Sequence, residues 1–97
     1  MDLLSRYHLY LYVLGYKVHS INDKQNSIDC YVDAVKTIAD WEGLSIEELA
    51  KDIKKIFKDY DKGGVKYSRL PTTDDGRTYN GLKHFTEFIS LCNKGTV

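Results

Sequence analysis

Ninety-seven residues, 42% of them hydrophobic, suffice for one domain with a single core but leave no room for a deep, enclosed active site beside it. Fourteen basic residues balance fourteen acidic ones, so no global positive field draws the chain to nucleic acid or to an anionic membrane, and any such binding has to be local. The longest apolar run, LYLYVLGY, falls far short of the roughly 20 residues a membrane span needs; with no secretory signal pattern and with Cys30 and Cys92 far apart outside any CxxC spacing, the expectation is a soluble cytoplasmic protein holding two reduced thiols.

Along the chain, the first segment supports two readings. Leu4, Tyr7, Leu11 and Leu14 form a helical stripe with Asp2 as cap and Gly15 as stop, whereas Leu9, Leu11 and Val13 alternate with Tyr10, Tyr12 and Leu14 as a strand would. We adopt the helix; the alternative is a β-hairpin with YKVHSI as its second strand and Gly15 in the turn. After the polar run NDKQN, the residues Ile28, Tyr31, Val32, Val35, Ile38 and Ala39 recur at helical spacing, with Asn26 or Ser27 as cap, Trp41 at the exit and Gly43 as stop. The next helix has the clearest start in the chain. Ser45 and Glu48 form a capping box, and Leu44 can staple onto Leu49. From there Ile46, Leu49, Ala50, Ile53, Ile56, Phe57 and Tyr60 share one stripe until the glycines of DKGG, which predicts one continuous helix over 46–61. The connection GGVKYSRLPTTDDG holds the only proline. A last helix is expected from Asp74 or Asp75, with Leu82, Phe85, Ile89 and Cys92 as its apolar stripe; Gly76 and Gly81 each cost it about 1 kcal/mol relative to alanine, so it depends on packing. The predicted architecture is one all-α domain of four helices over residues 1–97, becoming α+β if the first element is the hairpin.

Charge is uneven along this frame. Residues 27–43 carry four acids against one lysine, and residues 65–97 carry five basic groups against three acids. Lys51, Lys54, Lys55 and Lys58, extended by Lys62, project from roughly one side of the third predicted helix and make a short basic ridge suited to a nucleic-acid backbone or an acidic protein surface. The plainer reading is a solvated face laced by pairs such as Glu47 with Lys51. Asp29, Asp33 and Asp40 share a stripe with Lys36, but they spread over about 16 Å of helix, too far to hold one ion together. We read them as solvated surface and predict no metal and no cofactor. His8 and His19 have no second ligand at metal-site spacing. Tyrosine is abundant, eight in all, and Tyr7, Tyr10, Tyr12 and Tyr16 crowd the N-terminal segment, where they suit either a partner interface or the margin of a small core.

Within GRTYNGLKHF, residues 76–85, a helix would place Arg77, Gly81, His84 and Phe88 along one strip beside the apolar stripe. An arginine, six residues and a histidine in a helical protein resemble the active-site motif of HEPN-type ribonucleases; that resemblance implies phosphate binding by Arg77 and acid-base work by His84, with Thr78 standing where the family commonly has Asn, Asp or His. Packing accounts for the same residues, since Gly81 would let a neighbouring element approach and Arg77 and His84 would border that contact. We take the packing reading, and with it a chain that is not an enzyme.

A broader resemblance rests on SIDCYVDAVKTIADWEGLSIEELAKDIKKIFKDY followed by RTYNGLKHFTEFI, which together are similar to the helical core-binding domain of tyrosine recombinases and phage integrases. It covers about residues 27–91. What the resemblance implies is a DNA clamp built on basic helix side chains, here Lys51, Lys54, Lys55, Lys58, Arg77 and Lys83, without the catalytic domain that cuts and rejoins strands. The expected function is a non-catalytic intracellular binding module, of phage or mobile-element type, that engages nucleic acid or a nucleic-acid-handling protein through the lysines and the tyrosine-rich end. The alternatives are a phage-type inhibitor that docks on a host defence protein, and the HEPN-type ribonuclease. The oligomeric state is not specified by the sequence.

Overall fold

A computed structural model describes residues 2–15, 28–70 and 76–94, and among these every regular element is helical. Helix α1 spans Leu3–Val13, α2 Ile28–Glu42, α3 Ile46–Lys51, α4 Ile53–Tyr60 and α5 Arg77–Asn93, with a short 3-10 turn at Tyr67–Arg69. The all-α expectation holds. The hairpin alternative does not, because its first strand is α1; its second, YKVHSI, lies outside the described residues.

Local chemistry explains the helix ends. Asp2 accepts the Ser5 amide at 2.8 Å and so starts α1. At the far end of α2, Gly43 takes the left-handed conformation at φ 68°, the amide of Leu44 reaches back to the Ala39 carbonyl at 3.0 Å and that of Gly43 to Asp40 at 3.1 Å. This is a Schellman stop, and it requires a residue tolerant of positive φ. Two residues later the capping box forms as the sequence predicts, with the Glu48 amide donating to Ser45 Oγ at 3.2 Å and the Ser45 amide to Glu48 Oε1 at 3.0 Å.

The helix predicted over 46–61 is two helices. It breaks at Asp52, whose φ of −108° and ψ of 21° leave the α region. The reason is tertiary: α3 packs against α1 and α2, whereas α4 packs against α5 and the turn at Tyr67–Arg69, and one straight rod could not face both sets of neighbours. The last helix begins at Arg77 behind Gly76, while Asp74 and Asp75, the expected starters, lie outside the described residues.

The α2–α5 pair is the centre of the core. Ile28, Tyr31, Val35 and Ile38 of α2 meet Leu82, Phe85, Phe88 and Ile89 of α5; Tyr7 and Leu11 of α1, Leu49 of α3 and Ile53, Ile56 and Tyr60 of α4 close the remaining sides. Each large apolar side chain buried here contributes about 1.5–3 kcal/mol. The predicted stripes of α2, α3 and α4 face the core, with Val32, Ile46, Ala50 and Phe57 only partly buried. Two differences stand out, on α1 and α5. Leu14, expected in the α1 stripe, is 53% exposed, and Phe88 of α5, read only as bordering the stripe, is fully buried.

Gly81 decides how close α2 and α5 come. A Cβ at this position would lie 2.7 Å from the Ala34 Cβ and 2.9 Å from the Tyr31 carbonyl oxygen, so only hydrogen fits between the helices. The Tyr7 hydroxyl donates to the Gly81 carbonyl at 2.7 Å and ties α1 to the same crossing.

Candidate functional site

The basic side chains sort by helix. Lys51 is the last residue of α3 and sits before the break, Lys54, Lys55 and Lys58 lie along α4, and Lys62 follows in the turn beyond it. All five are exposed, Lys54, Lys55 and Lys58 on the side of α4 away from buried Ile53, Ile56 and Tyr60. The break thus divides the predicted ridge between two helices. Among the described residues none of the five makes an ion pair, so the Glu47–Lys51 pair expected for a merely solvated face does not form.

The acid nearest the end of this ridge is already engaged. Asp61 Oδ1 accepts the Tyr79 hydroxyl at 2.6 Å and the Lys62 amide at 2.8 Å, and these bonds hold its carboxyl below the usual aspartate range, with the Lys83 and Lys62 charges adding to the effect. The structure therefore brings Lys83 of α5 to the ridge end through a shared acid. Arg77 it turns elsewhere. Six residues separate Arg77 from Lys83, which places them about 120° apart around α5, and the Arg77 guanidinium donates to Cys30 Sγ on α2 at 3.5 Å.

His84 lies on the same α2-facing strip as Arg77. Its ring packs 5.3 Å from that of Tyr31, and Nδ1 is 3.5 Å from Glu87 Oε2 one turn on. With Gly81 between them against Tyr31 and Ala34, the arginine and histidine border the helix crossing, as the packing reading expects.

The four tyrosines proposed for a partner interface do not act alike. Tyr7 is fully buried with its hydroxyl bonded to Gly81, so it is a core residue, and the expectation that it faces a partner is corrected. Its ring meets Phe85 edge-on at 5.1 Å, a favourable arrangement of ring quadrupoles. Tyr10 is half-buried against Phe88 at 5.2 Å, and Tyr12 is 61% exposed. Tyr16 lies outside the described residues.

What the sequence reading missed is the face beside Tyr12. Leu9, Val13 and Leu14 are 51%, 76% and 53% exposed, and with Arg6 and Tyr10 they line a shallow apolar groove of about 340 Å³. The signal was present: Leu9 and Val13 are four residues apart, a helical pair, but they were counted only in the strand alternative. A second, open groove of about 570 Å³ runs between α1, α2 and α3 over Leu3, Leu4, Val32 and Ile46; its rim mixes Asp2 and Glu47 with Lys36 and His8, so it offers a ligand no single charge. Among the described residues no three His, Cys, Asp or Glu side chains gather where a metal ion could sit, and no helix is long and apolar enough to cross a membrane.

Compared with protein-family models, with curated proteins and with solved structures, the chain finds no match in any of the three.

Proposed function

We propose that this chain is a non-catalytic binding module that takes the phosphate backbone of a nucleic acid along the lysines of α3 and α4. The observation that carries the reading is the set of five exposed ammonium groups, at Lys51, Lys54, Lys55, Lys58 and Lys62, with no ion-pair partner among the described residues. Cations already paired at home gain little from a phosphate; Lys51 and Lys62 act on the nearby Glu48 and Asp61 carboxylates without forming a close pair, and the row otherwise exchanges water and mobile counterions. Lys83 extends the row, because the acid beside it is occupied by Tyr79. Arg77 is left out of the proposed surface, since its guanidinium lies against Cys30. The resemblance to the core-binding domain of integrases points the same way and supplies the phage or mobile-element context, and two cysteines outside any disulfide suit a cytoplasmic protein.

Binding of this kind is local, modest and strongly salt-dependent. Five phosphate contacts correspond to a slope of log K on log salt of at most about −4.5 for duplex DNA and about −3.5 for a single strand. Fluorescence anisotropy with labelled duplex and single-stranded oligonucleotides checks this directly. Affinity should fall steeply with added salt, and the double substitution Lys51→Glu with Lys55→Glu should abolish it while circular dichroism keeps its helical form. No measurable affinity at low salt would remove nucleic acid as the ligand, and a pull-down from lysate with and without nuclease would then test the acidic face of a nucleic-acid-handling or host defence protein.

The packing of Arg77 and His84 around the α2–α5 crossing supports the non-enzymatic part of the proposal. A packing role predicts that His84→Ala changes stability by about 1 kcal/mol and alters no RNA cleavage. Metal-independent cleavage by the wild-type chain, lost by a hundredfold or more in His84→Ala, is the result that would overturn it.

A further inference from the structure

Helix α1 is apolar on more of its circumference than one core contact requires. Tyr7 and Leu11 face inward and are fully buried, yet Leu9 and Val13 leave the opposite flank of the same helix apolar and more than half exposed, and Leu14 is exposed at the helix end. Exposed apolar side chains grouped on one flank mark an interaction surface.

From the shape and charge of this flank we infer that it is covered by the same flank of a second copy, with the two α1 helices antiparallel about a two-fold axis near Tyr10. Arg6, Leu9, Tyr10 and Val13 stand at positions i, i+3, i+4 and i+7, the four corners of the hole that accepts one side chain of a facing helix, and the structure has a groove bounded by these residues and Leu14. The same face carries the knobs, since Leu9 and Val13 project from it. A surface that offers both hole and knob is self-complementary, which an isologous dimer requires.

Charge favours this pairing over others. The described length of α1 contains no acid, and its last turn contains no basic residue, so the negative end of the helix dipole at Leu14 is uncompensated by any side chain of that turn. Arg6 is the only strong charge on the strip; unlike part-buried Arg77 it is exposed, and its hydrogen bond to Cys92 Sγ at 3.6 Å is a weak one that a partner's helix end can replace. Eight residues, about 12 Å of helix, separate it from Leu14, so antiparallel closure brings each Arg6 to the partner's negative helix end. Parallel pairing would instead set Arg6 against Arg6. One helix pair covers less surface than a standard interface, which makes the dimer weak and concentration-dependent.

Sedimentation velocity on the full chain tests this, with reductant present so that Cys30 and Cys92 cannot cross-link and without nucleic acid so that the lysines play no part. Over about ten micromolar to one millimolar, the mass should rise from the 11.2 kDa monomer toward twice that value. Val13→Glu and Leu9→Glu, both at exposed positions, should keep the helical circular dichroism and remain monomeric throughout. Arg6→Glu should weaken the dimer at least tenfold, and Arg6→Lys should restore part of the loss. A monomer at every concentration overturns the proposal and leaves the flank to a different protein. So does a dimer indifferent to Val13→Glu and Leu9→Glu, whose interface must lie elsewhere.

Discussion

At the scale of single residues, Gly81 shows two opposing magnitudes at one atom. Alanine there would gain about 1 kcal/mol of helix propensity, but its methyl group would meet both the Ala34 side chain and the Tyr31 backbone oxygen inside 3 Å. Overpacking of this kind costs about 1–3 kcal/mol, and a carbonyl cannot swing aside as a side chain can. Gly81→Ala should therefore destabilise the chain in urea unfolding, and adding Ala34→Gly should recover only part of the loss, because the Tyr31 contact remains. A stabilised Gly81→Ala would mean the helices are free to separate. The neighbouring Tyr7→Phe removes a buried hydrogen bond. Its hydroxyl is the donor to the Gly81 carbonyl, which keeps its helical partner in the variant, so the expected cost is only about 1 kcal/mol, measured in the same unfolding experiment.

At the scale of elements, the short helices depend on their ends. Helix α3 has only six residues, too few to persist on propensity, and it is held by the capping box at Ser45 and by buried Leu49. Ser45→Ala removes the hydroxyl acceptor of the Glu48 amide and should cost about 1 kcal/mol, with the first loss of hydrogen-exchange protection confined to α3. Equal loss of protection in α2 and α5 would show that α3 does not open separately. Beyond α4 the chain is tied back to the end of α2. Lys66 Nζ reaches both oxygens of Glu42 at 2.9 and 2.8 Å, and the Tyr60 hydroxyl donates to Glu42 Oε2 at 3.0 Å. The Glu42 side chain is only 12% exposed, so this pair is screened less than the usual surface salt bridge.

At the scale of the whole molecule, hydrogen-bonded carboxylates contribute to the pH dependence of stability. The Lys66 ammonium first, and then the Tyr60 hydroxyl, hold Glu42 below its ordinary pKa; the Ser5 amide does the same for Asp2, the Ser45 amide for Glu48 and the Tyr79 hydroxyl for Asp61. A group whose pKa is depressed by folding stabilises the fold above its unfolded pKa, and that stability is lost as pH falls through the folded value. The alkaline side has the opposite sign. Burial and then the Glu42 bond push Tyr60 up to about 12, and the bond to Asp61 and then burial push Tyr79 up to about 12. Their contribution is complete below the ordinary tyrosine pKa and disappears as pH rises toward 12. Stability followed by thermal unfolding should thus show a plateau that falls at both ends. Glu42→Gln should flatten the acid limb and, by removing one cause of its shift, bring Tyr60 ionisation down in an ultraviolet titration; unchanged limbs would show that the Glu42 bonds do not persist in solution.

The sequence by itself determined the helices and most of their inward faces, because caps, stop glycines and helical spacing act within a few residues. Ser45 with Glu48, Gly43, and the stripe from Ile46 to Tyr60 were all legible in this way. The lysines were legible as exposed neighbours along one segment, but not their division by the break, which leaves Lys51 on α3 and Lys54, Lys55 and Lys58 on α4. Only the tertiary structure decided the break at Asp52, since nothing in a regular stripe records that its two halves must serve different neighbours. It also decided which flank of α1 is covered. Leucines and tyrosines occur all round that helix, and Tyr7 is drawn inside by a carbonyl 74 residues away, leaving Leu9, Tyr12 and Val13 outside. Local periodicity identifies apolar faces, but only contacts between distant segments determine which of two comparable faces loses its water.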